Sequence, residues 1–136
     1  MFGKRKSTVG PIESLIGAGT LVQGDIRFKG GLRVDGEVRG SVVPEDGTPS
    51  LLVLSERGRI EGSVRATHLV VNGCIEGPVQ SDELLELQPK ARITGAIRYQ
   101  ALEMHHGAVI DGTLTHLETD RPSLKLATSN EGRLRD

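Results

Sequence analysis

Four histidines, His68, His105, His106 and His116, and a single cysteine, Cys74, are the residues of this 136-residue chain whose side chains could hold a metal or carry a proton. Imidazoles can ligate zinc or act as a general base, and a thiolate can act as a nucleophile. Neither use is supported by the surroundings of these residues. His105 and His106 fall in a turn between Met104 and Ala108, and Cys74 stands at an outward position three residues before Gly77. One cysteine forms no internal disulfide and no Cys-rich cluster, which fits a reducing compartment. No GxxxxGK[ST] phosphate cradle occurs. The expectation is therefore a protein with no catalytic residue, no metal and no cofactor.

Any element that positions side chains here must be built from small and aliphatic residues. Eighteen glycines stand against no Trp, one Tyr and two Phe, a composition that suits many short strands better than a helical bundle. The pattern aliphatic-x-Gly-x-aliphatic recurs six times, centred on Gly24, Gly40, Gly62, Gly77, Gly95 and Gly112, at spacings of 16, 22, 15, 18 and 17. The longest interval contains Pro44-Glu45-Asp46-Gly47-Thr48-Pro49-Ser50, a turn-forming string that reads as an inserted loop.

Alignment on that glycine gives a stricter template. Two residues before it stand Val22, Val38, Ile60, Ile75, Ile93 and Ile110, and two after it Ile26, Val42, Val64, Val79, Ile97 and Leu114. Four before it the residue is small (Thr20, Gly36, Gly58, Gly73, Ala91, Ala108), and eight before it apolar (Ile16, Leu32, Leu54, Leu69, Leu87, Met104). Alternation at period two means strands with one face inward. The central glycine shares the parity of the buried stripe and is expected to point inward at a corner. A unit of this length has no room for a crossover helix, so each unit makes one turn of a coil whose strands pair in parallel with the next turn. The fold class is all-β, a parallel β-helix of about six turns, right-handed by the rule that holds for about 98% of parallel connections. Six turns at about 4.8 Å stack to roughly 29 Å. The expected organisation is a polar tail over residues 1–14, a solenoid over 15–117 and a charged tail over 118–136, both tails disordered.

A formal charge of −1 with acids and bases interspersed provides no field for nucleic acid. No apolar run reaches the roughly 20 residues of a membrane-spanning helix, and the N-terminus lacks a secretion signal. The chain is expected to stay in the cytoplasm.

A solenoid exposes unpaired backbone groups at both ends. Neither end here carries a recognisable cap. Leu15, Ile16, Leu21 and Val22 mark the first turn, and Met104, Val109, Ile110, Leu114 and Leu117 the last. Joining ends continues the ladder and covers both surfaces, and an assembly that never closes is a filament. These nine residues are the expected polymer interface, with other copies of the chain as the partner.

The run Gly24-Asp25-Ile26-Arg27-Phe28-Lys29-Gly30-Gly31-Leu32-Arg33-Val34-Asp35-Gly36-Glu37-Val38-Arg39-Gly40-Ser41-Val42, with the Ile-x-Gly-x-Val turns after it, resembles the bactofilins over residues 15–117. That resemblance implies a right-handed β-helix forming non-polar, nucleotide-independent filaments that scaffold cell-wall enzymes or polarity factors at the inner face of the cytoplasmic membrane. Met1-Phe2-Gly3-Lys4-Arg5-Lys6 is similar to the family's membrane-targeting peptide, which implies lipid contact by Met1, Phe2, Lys4, Arg5 and Lys6. Each cation gains about 1 kcal/mol from anionic lipid, and repetition along a filament multiplies the effect.

Two other readings set the contrast. A left-handed hexapeptide-repeat enzyme, of acyltransferase or carbonic anhydrase type, needs an aliphatic residue every six positions, whereas these apolar columns sit two apart around a glycine. A monomeric solenoid adaptor needs shielded ends.

Overall fold

The computed structural model describes residues 12–45 and 48–117. The expected tails, apart from residues 12–14, lie outside these, as do Asp46 and Gly47 of the inserted loop. Thirteen strands follow along the described chain: β1 (Ile12–Ile16), β2 (Leu21–Gln23), β3 (Ile26–Phe28), β4 (Gly30–Val34), β5 (Glu37–Arg39), β6 (Val42–Pro44), β7 (Ser50–Leu54), β8 (Arg59–Glu61), β9 (Val64–Val71), β10 (Cys74–Glu76), β11 (Val79–Leu87), β12 (Arg92–Met104) and β13 (Val109–His116). No helix occurs among the described residues.

All the pairings are parallel and sort into three ladders, one per face of a three-sided coil. The first face stacks β1, β4, β7 and the later halves of β9, β11 and β12. The second stacks β2, β5, β8, β10, the start of β12 and the start of β13. The third stacks β3, β6, the early parts of β9 and β11, the middle of β12 and the end of β13. Each ladder has six rungs, so the chain makes six turns. β1 begins at Ile12, three residues before the boundary read from the repeat.

The alternation read from the sequence produces the core. Val38, Ile60, Ile75 and Ile93 stack on the second face, and Val42, Val64, Val79 and Ile97 on the third, all essentially sealed from solvent. A fully buried aliphatic side chain contributes about 1.5–3 kcal/mol.

The column placed eight residues before the glycine is corrected by the register. Ile16, Val34, Leu54, Val71, Leu87 and Met104 share one inward column, while Leu32 and Leu69 belong to a second, with Leu52, Leu85 and Leu102. The cause is corner length. Ser55, Gln88 and His105 each open a turn closed by an N–H from three residues on, Gly58, Ala91 and Ala108 respectively. The second and fourth turns replace that unit by the tighter Asp35-Gly36 and Asn72-Gly73. Two residues fewer at the corner shift the sequence offset by one inward position.

The central glycines also act differently from expectation. Gly40, Gly62, Gly77 and Gly95 have φ between 132° and 153°, and a Cβ on any of them would strike the carbonyl of the equivalent glycine one turn earlier. The missing side chain makes room along the stack for the backbone of the neighbouring turn and does not point inward. The corner between the third and first faces is held by polar side chains. The N–H of Ser50 donates to Thr67 Oγ1 and the N–H of Thr67 to Ser50 Oγ, both at 3.0 Å, with Ser50 fully buried.

Candidate polymerisation surface

Among the described residues, strands of the interior turns are hydrogen-bonded on both sides, and those of the terminal turns on one side only. β1, β2 and β3 pair with β4, β5 and β6 alone, and at the other end β13 pairs only with β12. Residues 101–104 pair only with β11. Among the described residues, each end therefore presents a row of N–H and C=O groups without a ladder partner around the cross-section of the core.

Apolar exposure is confined to the same two layers. The exposed large hydrophobics among the described residues are Ile12 (43%), Leu15 (61%), Leu21 (48%), Met104 (49%), Val109 (44%) and Leu114 (47%). All six belong to the first or the last turn, and none to the four turns between. Tyr99 and His116 meet edge to face at 5.5 Å beside the last turn.

The residues read from the sequence as interface divide into two sets. Ile16, Val22, Met104, Ile110 and Leu114 continue the inward columns, stacked on Val34, Val38, Leu87, Ile93 and Ile97. They are the cut ends of the core. Leu15, Leu21 and Val109 instead oppose Arg33, Glu37 and Arg92, so they stand in outward columns at the rim. Leu117 follows β13 and donates its N–H to the Tyr99 carbonyl at 2.6 Å. Two residues complete the N-terminal surface and were missed. Ile26 stacks under Val42 and was already marked by its place two after Gly24. Ile12 lies before a register shift in β1, and no repeat column covers it. Gly24 shows the same truncation in the backbone: among the described residues no turn lies before it, and a Cβ there would meet nothing within 4 Å. Met1, Phe2, Lys4, Arg5 and Lys6 lie outside the described residues.

His68, His105 and His116 each meet a different partner and do not gather at a common point. His68 Nε2 lies 3.6 Å from Glu83, His105 Nε2 lies 3.3 Å from Glu86, and His116 Nε2 meets the Gln100 carbonyl at 2.9 Å. Cys74 is outward, between Arg59 and Arg92 in neighbouring turns. Charge pairing on the outward columns runs both along strands, as in Arg39 with Glu37 and Arg59 with Glu61 at 3.0 Å, and between turns, as in Arg65 with Asp82 at 3.3 Å. Arg59 also reaches Glu76 in the next turn at 2.7 Å. Such exposed pairs contribute about 0–1 kcal/mol each and leave the sides well solvated. Asp35 departs from its ordinary value: hydrogen bonds from Ser55 and then Arg33 hold its carboxyl below the usual carboxylate range. No helix of the described residues is long and apolar enough to cross a membrane.

A family model described as "Bactofilin: Polymer-forming cytoskeletal" matches residues 14–115. Among solved structures, a cryo-EM reconstruction of Thermus thermophilus bactofilin double helical filaments is similar at 35% identity and TM-score 0.67, over 75% of this chain and 99% of that one. A crystal structure of a mutant Thermus thermophilus bactofilin aligns at 36% identity and TM-score 0.62, over 68% of this chain and 98% of that one. The cytoskeletal bactofilin BacA, determined by solid-state NMR, aligns at 28% identity and TM-score 0.67, over 77% of this chain and 96% of that one. A search of curated proteins finds no match.

Proposed function

Because the chain belongs to the bactofilin family of polymer-forming cytoskeletal proteins, we propose that it assembles end to end into filaments without nucleotide, as a structural protein and not an enzyme. One observation carries the reading: every exposed large hydrophobic residue described lies on a terminal turn, where the strand edges are also open. A joint continues three ladders at once and removes both apolar surfaces from water. A monomeric adaptor would need these ends shielded, and the described residues leave them exposed. The filament form of the similar Thermus thermophilus protein supports the same mode.

Attachment to the cytoplasmic face of the inner membrane belongs to the proposal, through Met1, Phe2, Lys4, Arg5 and Lys6 repeated along the polymer. The filament then serves as a platform for cell-wall enzymes or polarity factors. Electron microscopy of purified protein without added nucleotide tests assembly: filaments support it, and a strictly single-chain preparation at high concentration overturns it. Co-sedimentation with anionic liposomes tests attachment, which should fall when residues 2–6 are deleted.

A further inference from the structure

The parallel register places Glu86 directly against Glu103 in the next turn of the first face. Like charges opposed in a ladder repel, and among the described residues no lysine or arginine pairs with either. His105, two residues after Glu103, brings Nε2 to 3.3 Å from Glu86 Oε2. One ligand atom from each of Glu86, Glu103 and His105 lies within 4.8 Å of the others. We propose that these three side chains form a binding site for a divalent transition-metal ion, zinc by its chemistry, that clips the last turn to the one before it.

The donor set selects the metal. An imidazole nitrogen with carboxylate oxygens suits zinc, whereas magnesium and calcium take oxygen alone. Three protein ligands with an open fourth position is an ordinary zinc arrangement, and donors around a tetrahedral ion stand about 3.4 Å apart. The Glu86–His105 separation already matches. Glu103 closes the remainder by side-chain rotation, since it is exposed. Glu86 is the anchored member: its side chain is 25% exposed, and the Gln88 amide donates to it at 3.2 Å. The backbone N–H of His105 donates to the Leu87 carbonyl at 2.8 Å, which fixes the chain that carries the ring. The Gln88 bond to Glu86 is an outer-shell contact of the kind that orients a ligand before the ion arrives. The clip straddles Met104, so an ion there holds the rung that closes the C-terminal end.

Zinc titration of the full-length chain, purified without a histidine tag and read by competition with a fluorescent chelator, tests the site. The expected result is one saturable zinc per chain, unaffected by excess magnesium and by His106→Ala. Affinity should drop at least roughly tenfold in Glu103→Gln/His105→Ala, with the circular dichroism spectrum kept. Absence of saturable binding, equal binding by the double variant, or loss on His106→Ala overturns the assignment. Filament formation is not read, so the outcome is independent of the proposed function.

Discussion

Arginine in place of Leu114 should abolish filaments while leaving the solenoid folded. Leu114 stacks on Ile97 at the last rung of the third face and is 47% exposed, so about half of its side chain is left for a joint to cover. Full burial of a leucine contributes about 1.5–3 kcal/mol, which puts the share supplied by the joint at about 1 kcal/mol. Met104, an inward residue exposed by 49%, raises that end to about 2 kcal/mol by the same measure. Arginine removes one part of this and adds a larger cost, since a buried guanidinium without a partner costs about 3–5 kcal/mol. At 1.4 kcal/mol per tenfold, the combined about 4–6 kcal/mol raises the critical concentration for assembly by roughly a thousand- to ten-thousandfold. In the single chain the same side chain keeps its head in water, so the fold survives.

The assay compares wild type, Leu114→Arg and Thr113→Arg at equal concentration by sedimentation, electron microscopy without nucleotide, and far-ultraviolet circular dichroism. Thr113 is the exposed outward neighbour, opposed to Ala96. It takes the same charge outside the joint and should pellet like wild type. A Leu114→Arg chain with native circular dichroism that pellets as wild type does refutes the end-joint reasoning.

Leu69→Ala, at a fully buried site between Leu52 and Leu85, should cost about 2–5 kcal/mol in denaturant unfolding. Gly77→Ala combines a φ of 143° with a collision against the Gly62 carbonyl and should cost at least about 3 kcal/mol in the same assay. Gly24→Ala, at φ 129° with nothing in the way, should cost clearly less. Asp35 has its acidity enhanced when folded, so its contribution is present above the ordinary aspartate value of 3.8 and lost as pH falls through the lower folded value. Asp35→Asn should therefore flatten the fall in stability between about pH 4 and lower pH in acid unfolding curves.

Period-two alternation around a repeated glycine was enough to read the solenoid, its six turns and most inward residues, because burial on one side of a strand writes itself into the order of side chains. Val22, Val38, Ile60, Ile75, Ile93 and Ile110 are a column in the sequence and a column in space. The apolar ends were equally legible, since the first and last copies of the repeat are as aliphatic as the middle ones.

Alternation carries no information across a corner of variable length. Leu32 and Leu69 were therefore placed one inward position away from their stacking partners, and Leu15, Leu21 and Val109 could not be told from the cut core until the register set them against Arg33, Glu37 and Arg92. The carbonyl under each central glycine and the superposition of Glu86 on Glu103 are likewise facts of stacking. The sequence by itself determined which side of each strand faces inward and how many turns the coil makes, because both follow from order along the chain. Only the tertiary structure decided which residues lie above one another, because neighbours in a solenoid are separated by a whole turn and the corner hydrogen bonds set its length.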